Sequence, residues 1–411
     1  MEIERQHKMV SAALAFVLSI FFIYAFWYQY VYNPIGMGFP LIGGMILFLS
    51  LCNLKWNCGF YNYLLLVFVF VAYVAVFGLI ESRNVATSRA YVLNICEYLI
   101  PMIGVYTYVD SDYKKLLRIL KMLVISIMMI AFSSLLNGHV TNTGAIIVGT
   151  LNANVESSLL ALGTVSAIII FSSSQTKFYE KMILAGAILL FIKTQIDCAS
   201  RRGFVVLLFL ILTGMLVVIQ TKYKDNKLIK WLILLIAICA LLVIITTLSE
   251  TFEGSVLFER FSSKANEGDR LRKIYQAKAL TLFLQSPLFG TGLGYVEIYV
   301  GMYSHSMYHE LLACTGIIGT FILVGNLIFY MLRLFSDSFK IDNDYCDLKI
   351  CARSMMLFVG AILLGGFAVV YIYDMYFYVI LGLIAASSKV IRYNLQIKLR
   401  ESEAVEDTIL F

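Results

Sequence analysis

The run Val10–Tyr28, VSAALAFVLSIFFIYAFWY, decides the fold. It holds no charged residue, and as a helix it is long enough to cross the roughly 30 Å apolar core of a bilayer. No small-residue cleavage site closes it, and many similar runs follow, so it reads as a retained first span rather than a signal peptide. Working outward, comparable runs recur near 34–52, 59–80, 90–108, 117–136, 155–172, 181–196, 203–220, 230–248, 307–335, 351–371 and 373–389. The expectation is an all-α, polytopic membrane bundle of about twelve spans, with residues 1–411 as one integral membrane domain. The seventh span looks short, and the last two form a tight hairpin or a broken pair.

Composition agrees. Of 411 residues, 60% are hydrophobic and 14% charged, which excludes an ordinary soluble domain. A transmembrane barrel would instead alternate in short segments. The net charge of +6 lies mostly between spans and suits lipid headgroups better than nucleic acid. The eight cysteines are scattered without zinc-site spacing.

Charge sets the orientation. With both termini in the cytoplasm, most of the 32 Lys and Arg fall on that side, among them Lys8, Lys114, Lys115, Lys177, Lys222, Arg333, Lys349 and Arg392. The long polar interruption at 249–306 then faces the exterior, as does the uncharged stretch 137–154. The latter is either an ordinary loop or a segment dipping back into the bilayer surface.

Chemistry gathers at this outer edge. Ser200-Arg201-Arg202-Gly203 sits at the end of the seventh span, where arginine breaks the positive-inside pattern. These guanidinium groups either snorkel and pair with Asp197, or hold phosphate through bidentate contacts. Residues 267–285, EGDRLRKIYQAKALTLFLQ, carry Leu271, Ile274, Tyr275, Lys278 and Leu282 at helical spacing, with Arg270 and Lys273 on a neighbouring face. This is an amphipathic helix, lying on the membrane surface or solvated. Pro287 to Gly294, PLFGTGLG, is no dinucleotide fingerprint, since it lacks the strand–turn–helix setting. It either packs on a span or admits close approach of a lipid-linked substrate.

Two of the four histidines, His305 and His309, close the loop beside Glu310. If the next span has already begun, they share a helical face. A neutral histidine there can accept a proton from a sugar hydroxyl or orient it. The alternative is a structural histidine at a helix start. The order is not that of a zinc protease, and a third ligand is missing.

The stretch His305–Gly319, HSMYHELLACTGIIG, resembles the hallmark of the O-antigen polymerase and O-antigen ligase superfamily, a histidine followed by a glutamate and a G-x-x-G pair. His305, Gly316 and Gly319 match. Ser306 stands where asparagine is usual, His309 where an apolar residue is, and Cys314 where glutamate is. Upstream, Arg270, Tyr275 and Pro287–Gly292 resemble the family's arginine, aromatic and P-x-x-G-x-G. Ser200-Arg201 resembles its Ser-Arg motif, and TLNANVE (150–156) its polar segment before a middle span.

The resemblance implies a GT-C-like, metal-independent, inverting glycosyltransferase with no cofactor. It would use an undecaprenyl-pyrophosphate-linked glycan as donor and a saccharide as acceptor, alongside a flippase and a chain-length regulator. Arg201 and Arg270 would hold the pyrophosphate, and His305 would activate the acceptor. Arg202, Tyr275, His309 and Glu310 would bind substrate. The enzyme would sit in a bacterial cytoplasmic membrane, with its site facing outward. Polymerisation of repeat units is the favoured reaction, and transfer to a final acceptor the alternative. A transporter also fits twelve spans, but no internal repeat is visible and the charges cluster at the edge rather than mid-bilayer.

Overall fold

A computed structural model describes residues 2–28, 38–53, 63–141, 145–149, 152–222, 256–257 and 267–409. The expected span at 230–248 and most of the first half of the 249–306 loop lie outside these residues. The helices are α1 (Glu2–Ile23, continued by a π-turn to Tyr28), α2 (Gly38–Asn53), α3 (Leu65–Ile80), α4 (Val85–Val109), α5 (Tyr113–Asn137), α6 (Ala153–Ser172) and α7 (Phe178–Asp197). Next come α8 (Arg201–Lys222), α9 (Glu267–Gln285), α10 (Tyr295–Val300), α11 (Met307–Lys340), α12 (Cys346–Gly365) and α13 (Met375–Ile409).

The protein is an all-α polytopic membrane protein. Among the described residues, eight helices are long and apolar enough to cross a membrane, and α2 and α3 are shorter apolar helices. The seventh predicted span, short in its apolar run, is not among these eight. Phe178–Asp197 has twenty residues, but Glu180, Lys181, Lys193 and Asp197 at its ends trim its apolar run. Of the two readings of the last spans, the structure has the broken pair and not the tight hairpin. α12 ends at Gly365, six residues before the predicted boundary, and residues 366–374 form a non-helical link. The apolar character of GFAVVYIY hides this break from a hydropathy reading, while Gly365-Gly366 permits it.

Local chemistry starts the helices. The side chains of Asn84, Asp112 and Asn152 accept hydrogen bonds from the first-turn amides of α4, α5 and α6. α13 is the central helix, with 89% of its span buried, whereas α8 at 28% lies on the rim. Segment 137–154 contributes a small antiparallel pairing of His139–Val140 with Ile146–Ile147.

α11 breaks at Gly316, whose φ of 64° and ψ of −170° interrupt the helix. The carbonyl groups freed by the break are taken by the glycine loop: Thr291 N–H donates to Ala313 O (2.9 Å) and Gly292 N–H to Cys314 O (3.0 Å). In return, Ile317 N–H donates to Pro287 O (2.9 Å). A Cβ on Gly290, itself at φ +79°, would stand 2.4 Å from the Cys314 carbonyl carbon, so only glycine fits. The PLFGTGLG segment therefore packs on a span, the first of its two readings.

Candidate active site

α9 docks on α11 through a stripe at spacings of three, four and three: Arg272, Tyr275, Ala279 and Leu282. Ala279 and Leu282 are fully buried, while Leu271 and Ile274 remain partly exposed. The helix is amphipathic as expected, but its buried stripe is rotated from the expected apolar face. That rotation matters for the arginines. Arg270 is exposed, two residues and so about 200° round the helix from Arg272.

His305 is not on α11. It precedes the helix with a left-handed φ of 58°, and Ser306 holds the N-cap position. The shared face with His309 is therefore absent. The His305 ring lies 4.4 Å from the Tyr303 ring and stacks on Tyr275 at 6.1 Å, between centroids. Nε2 is 3.3 Å from Met302 Sδ, and Nδ1 is buried without a hydrogen-bond partner. A thioether only accepts, so Nε2 carries the proton and Nδ1 offers its lone pair. Burial, with the charges of Arg272 and Arg202, pushes the imidazole down to about 4, which keeps it neutral near pH 7.

His305 faces a cavity of about 210 Å³. Its walls include Asn152 and Asn154 from the start of α6, Tyr303, Tyr91 with Glu297, and Tyr373-Asp374 from the 366–374 link. Tyr91 Oη donates to Glu297 (2.7 Å) and its ring packs 4.4 Å from that of Tyr373. Burial raises the Asp374 carboxyl to about 7. A narrower cavity of about 50 Å³ adjoins the first, with Asn154, Ala368 and Val369 lining both. Its polar end holds Arg202, Ser157, Ser158 and Ser200, and its apolar end Phe358, Ile362, Phe377 and Ile380.

The Ser200–Gly203 turn is built to hold position. Ser200 Oγ donates to Asn154 Oδ1 (3.1 Å), and Gln195 Nε2 donates to Ser157 Oγ (3.0 Å). Asp197 pairs with Lys193. A Cβ on Gly203 would lie 2.4 Å from that of Ser157, so α8 starts in close contact with α6.

The structure thus brings together His305, Tyr275 and Arg202 of the expected site residues. Arg201 begins α8 but lines neither cavity. His309 is turned to Ser306 Oγ (Nδ1, 3.0 Å) and lines neither cavity. Glu310 is completely buried beneath the site, its oxygens occupied by Ser304 and Tyr373, so it is not a cavity wall. Sequence reasoning missed Arg272, Glu297, Tyr373 and Asp374, and marked Asn152 and Asn154 only as part of the polar segment 150–156. Asp374 carried one available signal, an acidic residue inside an otherwise apolar tail. Among the described residues, no group of three His, Cys, Asp or Glu could hold a metal ion.

Comparisons with known proteins bear on this arrangement. A solved chain described under the structural coordination of polymerization and crosslinking by a peptidoglycan synthase complex aligns with 79% of this chain and 95% of its own. Its TM-score is 0.43 at 15% identity. No curated protein matches significantly. The family model described as O-antigen ligase matches residues 196–324, a segment that contains Arg202, Arg272, Tyr275, Tyr303 and His305. That match covers about a third of the chain and supports its resemblance to the O-antigen polymerase and ligase superfamily.

Proposed function

We propose that this chain transfers a glycan from an undecaprenyl-pyrophosphate carrier to a saccharide hydroxyl, extending a surface polysaccharide by repeat units. One observation carries the reading: a neutral imidazole with a free Nδ1 lone pair beside two arginines, facing a polar cavity that adjoins an apolar seam. Arginine-lined polar space suits pyrophosphate, and the seam between α12 and α13 suits a polyprenyl tail.

The chemistry follows from these groups. Arg202 and Arg272 take the anion-holding role first given to Arg201 and Arg270. They stabilise the negative charge that grows on the departing pyrophosphate. The acceptor hydroxyl is first oriented by a hydrogen bond to His305 Nδ1, then gives up its proton to the Asp374 carboxylate as its oxygen attacks the anomeric carbon. The carbon–oxygen bond to pyrophosphate breaks as the new glycosidic bond forms, and configuration inverts. Asp374 is the proton acceptor best matched to neutral pH, because burial places its carboxyl near 7. Tyr91 and Tyr303 present rings and hydroxyls to the sugars, and Tyr373 presents its ring. No nucleotide is consumed, since the energy resides in the lipid pyrophosphate bond.

The same reading supplies the remaining features: about twelve spans in a GT-C-like arrangement, both termini in the cytoplasm of a bacterial cell, and the cavity opening outward. Chain-length regulator and flippase partners follow from the reaction class. Ligase-type transfer to a final acceptor is the second reading, favoured by the description of the matching family model.

The decisive experiment incubates purified full-length protein with lipid-linked oligosaccharide extracted from native cells lacking this chain. A ladder formed from that lipid alone supports polymerisation. Product that appears only with a separate final acceptor supports ligation. No covalent product under either condition, with lipid crossing vesicles instead, overturns glycosyl transfer in favour of transport.

A further inference from the structure

Beneath the cavity, one side chain holds the residues that precede His305 and Asp374 without lining the cavity itself. Glu310 is wholly buried in the first turn of α11. Its Oε2 accepts the backbone N–H of Ser304 at 2.8 Å, and its Oε1 accepts the phenol of Tyr373 at 3.0 Å. Ser304 directly precedes His305, and Tyr373 directly precedes Asp374. The two oxygens of one carboxyl group therefore hold the residues just before His305 and Asp374, two of the titratable groups on the cavity wall.

The anchors are themselves fixed. The Tyr373 phenol oxygen accepts the Gly294 N–H at 3.1 Å, which joins the glycine loop to the link. Ser304 Oγ donates to Ser306 O at 2.9 Å, closing the turn around His305. Met307 N–H donates to Gly366 O (2.7 Å), so the link begins tied to the start of α11. A left-handed histidine is held against its own backbone preference, which requires its neighbours to be fixed.

We propose that Glu310 is a positioning residue, whose two carboxyl oxygens fix Ser304 and Tyr373 and thereby set His305 and Asp374 at their working separation across the cavity. The inference rests on the reading that His305 and Asp374 act on the acceptor hydroxyl. Its mechanism is geometric. Removing the carboxyl frees the 301–306 turn and the 366–374 link to move independently, and small misplacements of reacting groups are costly.

The test is a double-mutant cycle on the purified full chain, using the extracted lipid-linked oligosaccharide as donor and acceptor. Glu310→Ala is expected to lower kcat about 100-fold while KM changes little, the cost of roughly 1 Å misplacement. Adding Glu310→Ala to His305→Ala should reduce the residual rate by much less than about 100-fold, because part of the effect of Glu310 acts through His305 and only the part through Asp374 remains. Glu310→Gln keeps an acceptor for Ser304 and offers the Tyr373 phenol oxygen an N–H donor in place of the acceptor it had, and should restore most of the rate. In Glu310→Ala, hydrogen exchange at residues 301–306 should accelerate while that in α9 is unchanged.

If the rate losses multiply in the double variant, or KM rises in step with the fall in kcat, Glu310 has only a structural role and the inference fails. If Glu310→Ala does not fold, Tyr373→Phe keeps the ring and removes the donor to Oε1. An unchanged kcat in that variant likewise overturns the inference. If His305→Ala leaves transfer intact, the underlying functional reading falls instead, an outcome distinct from both.

Discussion

The two ends of the bundle handle charge in opposite ways. At the end where α4, α11 and α13 finish their spans, Lys389 pairs with Asp110 at 2.5 Å and Arg392 with Asp337 at 3.0 Å. Nearby, Arg333 lies over the Tyr63 ring at 4.1 Å. Asp337 is almost fully buried there, and its partner compensates it. At the other end, where the same three helices begin, His305 leaves Nδ1 without a partner, and Asp374 and Glu297 line a cavity. Charge closed on itself holds helices together, and polar groups facing empty space are available to a substrate.

The comparison is broken most directly at His305. His305→Ala is expected to lower transfer by about 100- to 10,000-fold, the range for losing acid–base participation. Normal protein level and thermal stability should accompany that loss, and wild-type glycan length in cells would refute the role.

Arg272→Ala is expected to lower transfer by about 100- to 1,000-fold, as when a group stabilising developing negative charge is removed. Arg270→Ala, on the exposed face, should have a far smaller effect. Measured side by side, the reverse order would restore the assignment made from motif spacing alone.

Asp374 sharpens the contrast through pH. Its carboxyl is raised to about 7, so the base form accumulates above neutrality and the rate should climb through that pH. Asp374→Asn should flatten that rise. The linked stability runs the other way. The raised group favours the fold while protonated, and that contribution is lost as pH increases from about 4 to about 7. Asp374→Asn should therefore melt higher than the parent at pH 8. His305 is lowered to about 4, so its contribution is present above the usual imidazole range and is lost as pH falls towards 4.

The paired end should respond in stability alone. Asp337→Ala leaves Arg392 without its carboxylate, and about 1–3 kcal/mol of stability is expected to go with it. Thermal unfolding should show the loss, while kcat stays near that of the parent. A large drop in kcat at unchanged stability would mean that the two ends are coupled.

Much of the fold was legible because membrane spans are written in long apolar runs. Every described helix at a predicted span falls close to its expected place, and α9 was visible from its period. The link at 366–374 was not, because its residues are as apolar as the spans beside it. The site was legible in part. His305, Tyr275 and Arg202 stood out as polar or aromatic residues at a membrane edge. Arg272 did not, since choosing between it and Arg270 requires knowing which face of α9 meets α11. Tyr373 and Asp374 come from a link whose position against His305 depends on how α11 and α13 pack.

The sequence by itself determined an all-helical membrane protein with its chemistry at one edge, because the bilayer requires spans to satisfy their own backbone and penalises stray charge. Only the tertiary structure decided which charges share a space. The cavity draws on residues 152, 154, 297, 303, 305 and 373–374, with 202 on the wall of the adjoining seam and the charge of 272 felt at the imidazole, and no local pattern connects them. Their meeting depends on the Gly316 break, the glycine loop that fills it, and one buried carboxyl between two turns. Such contacts arise from packing between distant segments, and periodicity along the chain carries no record of them.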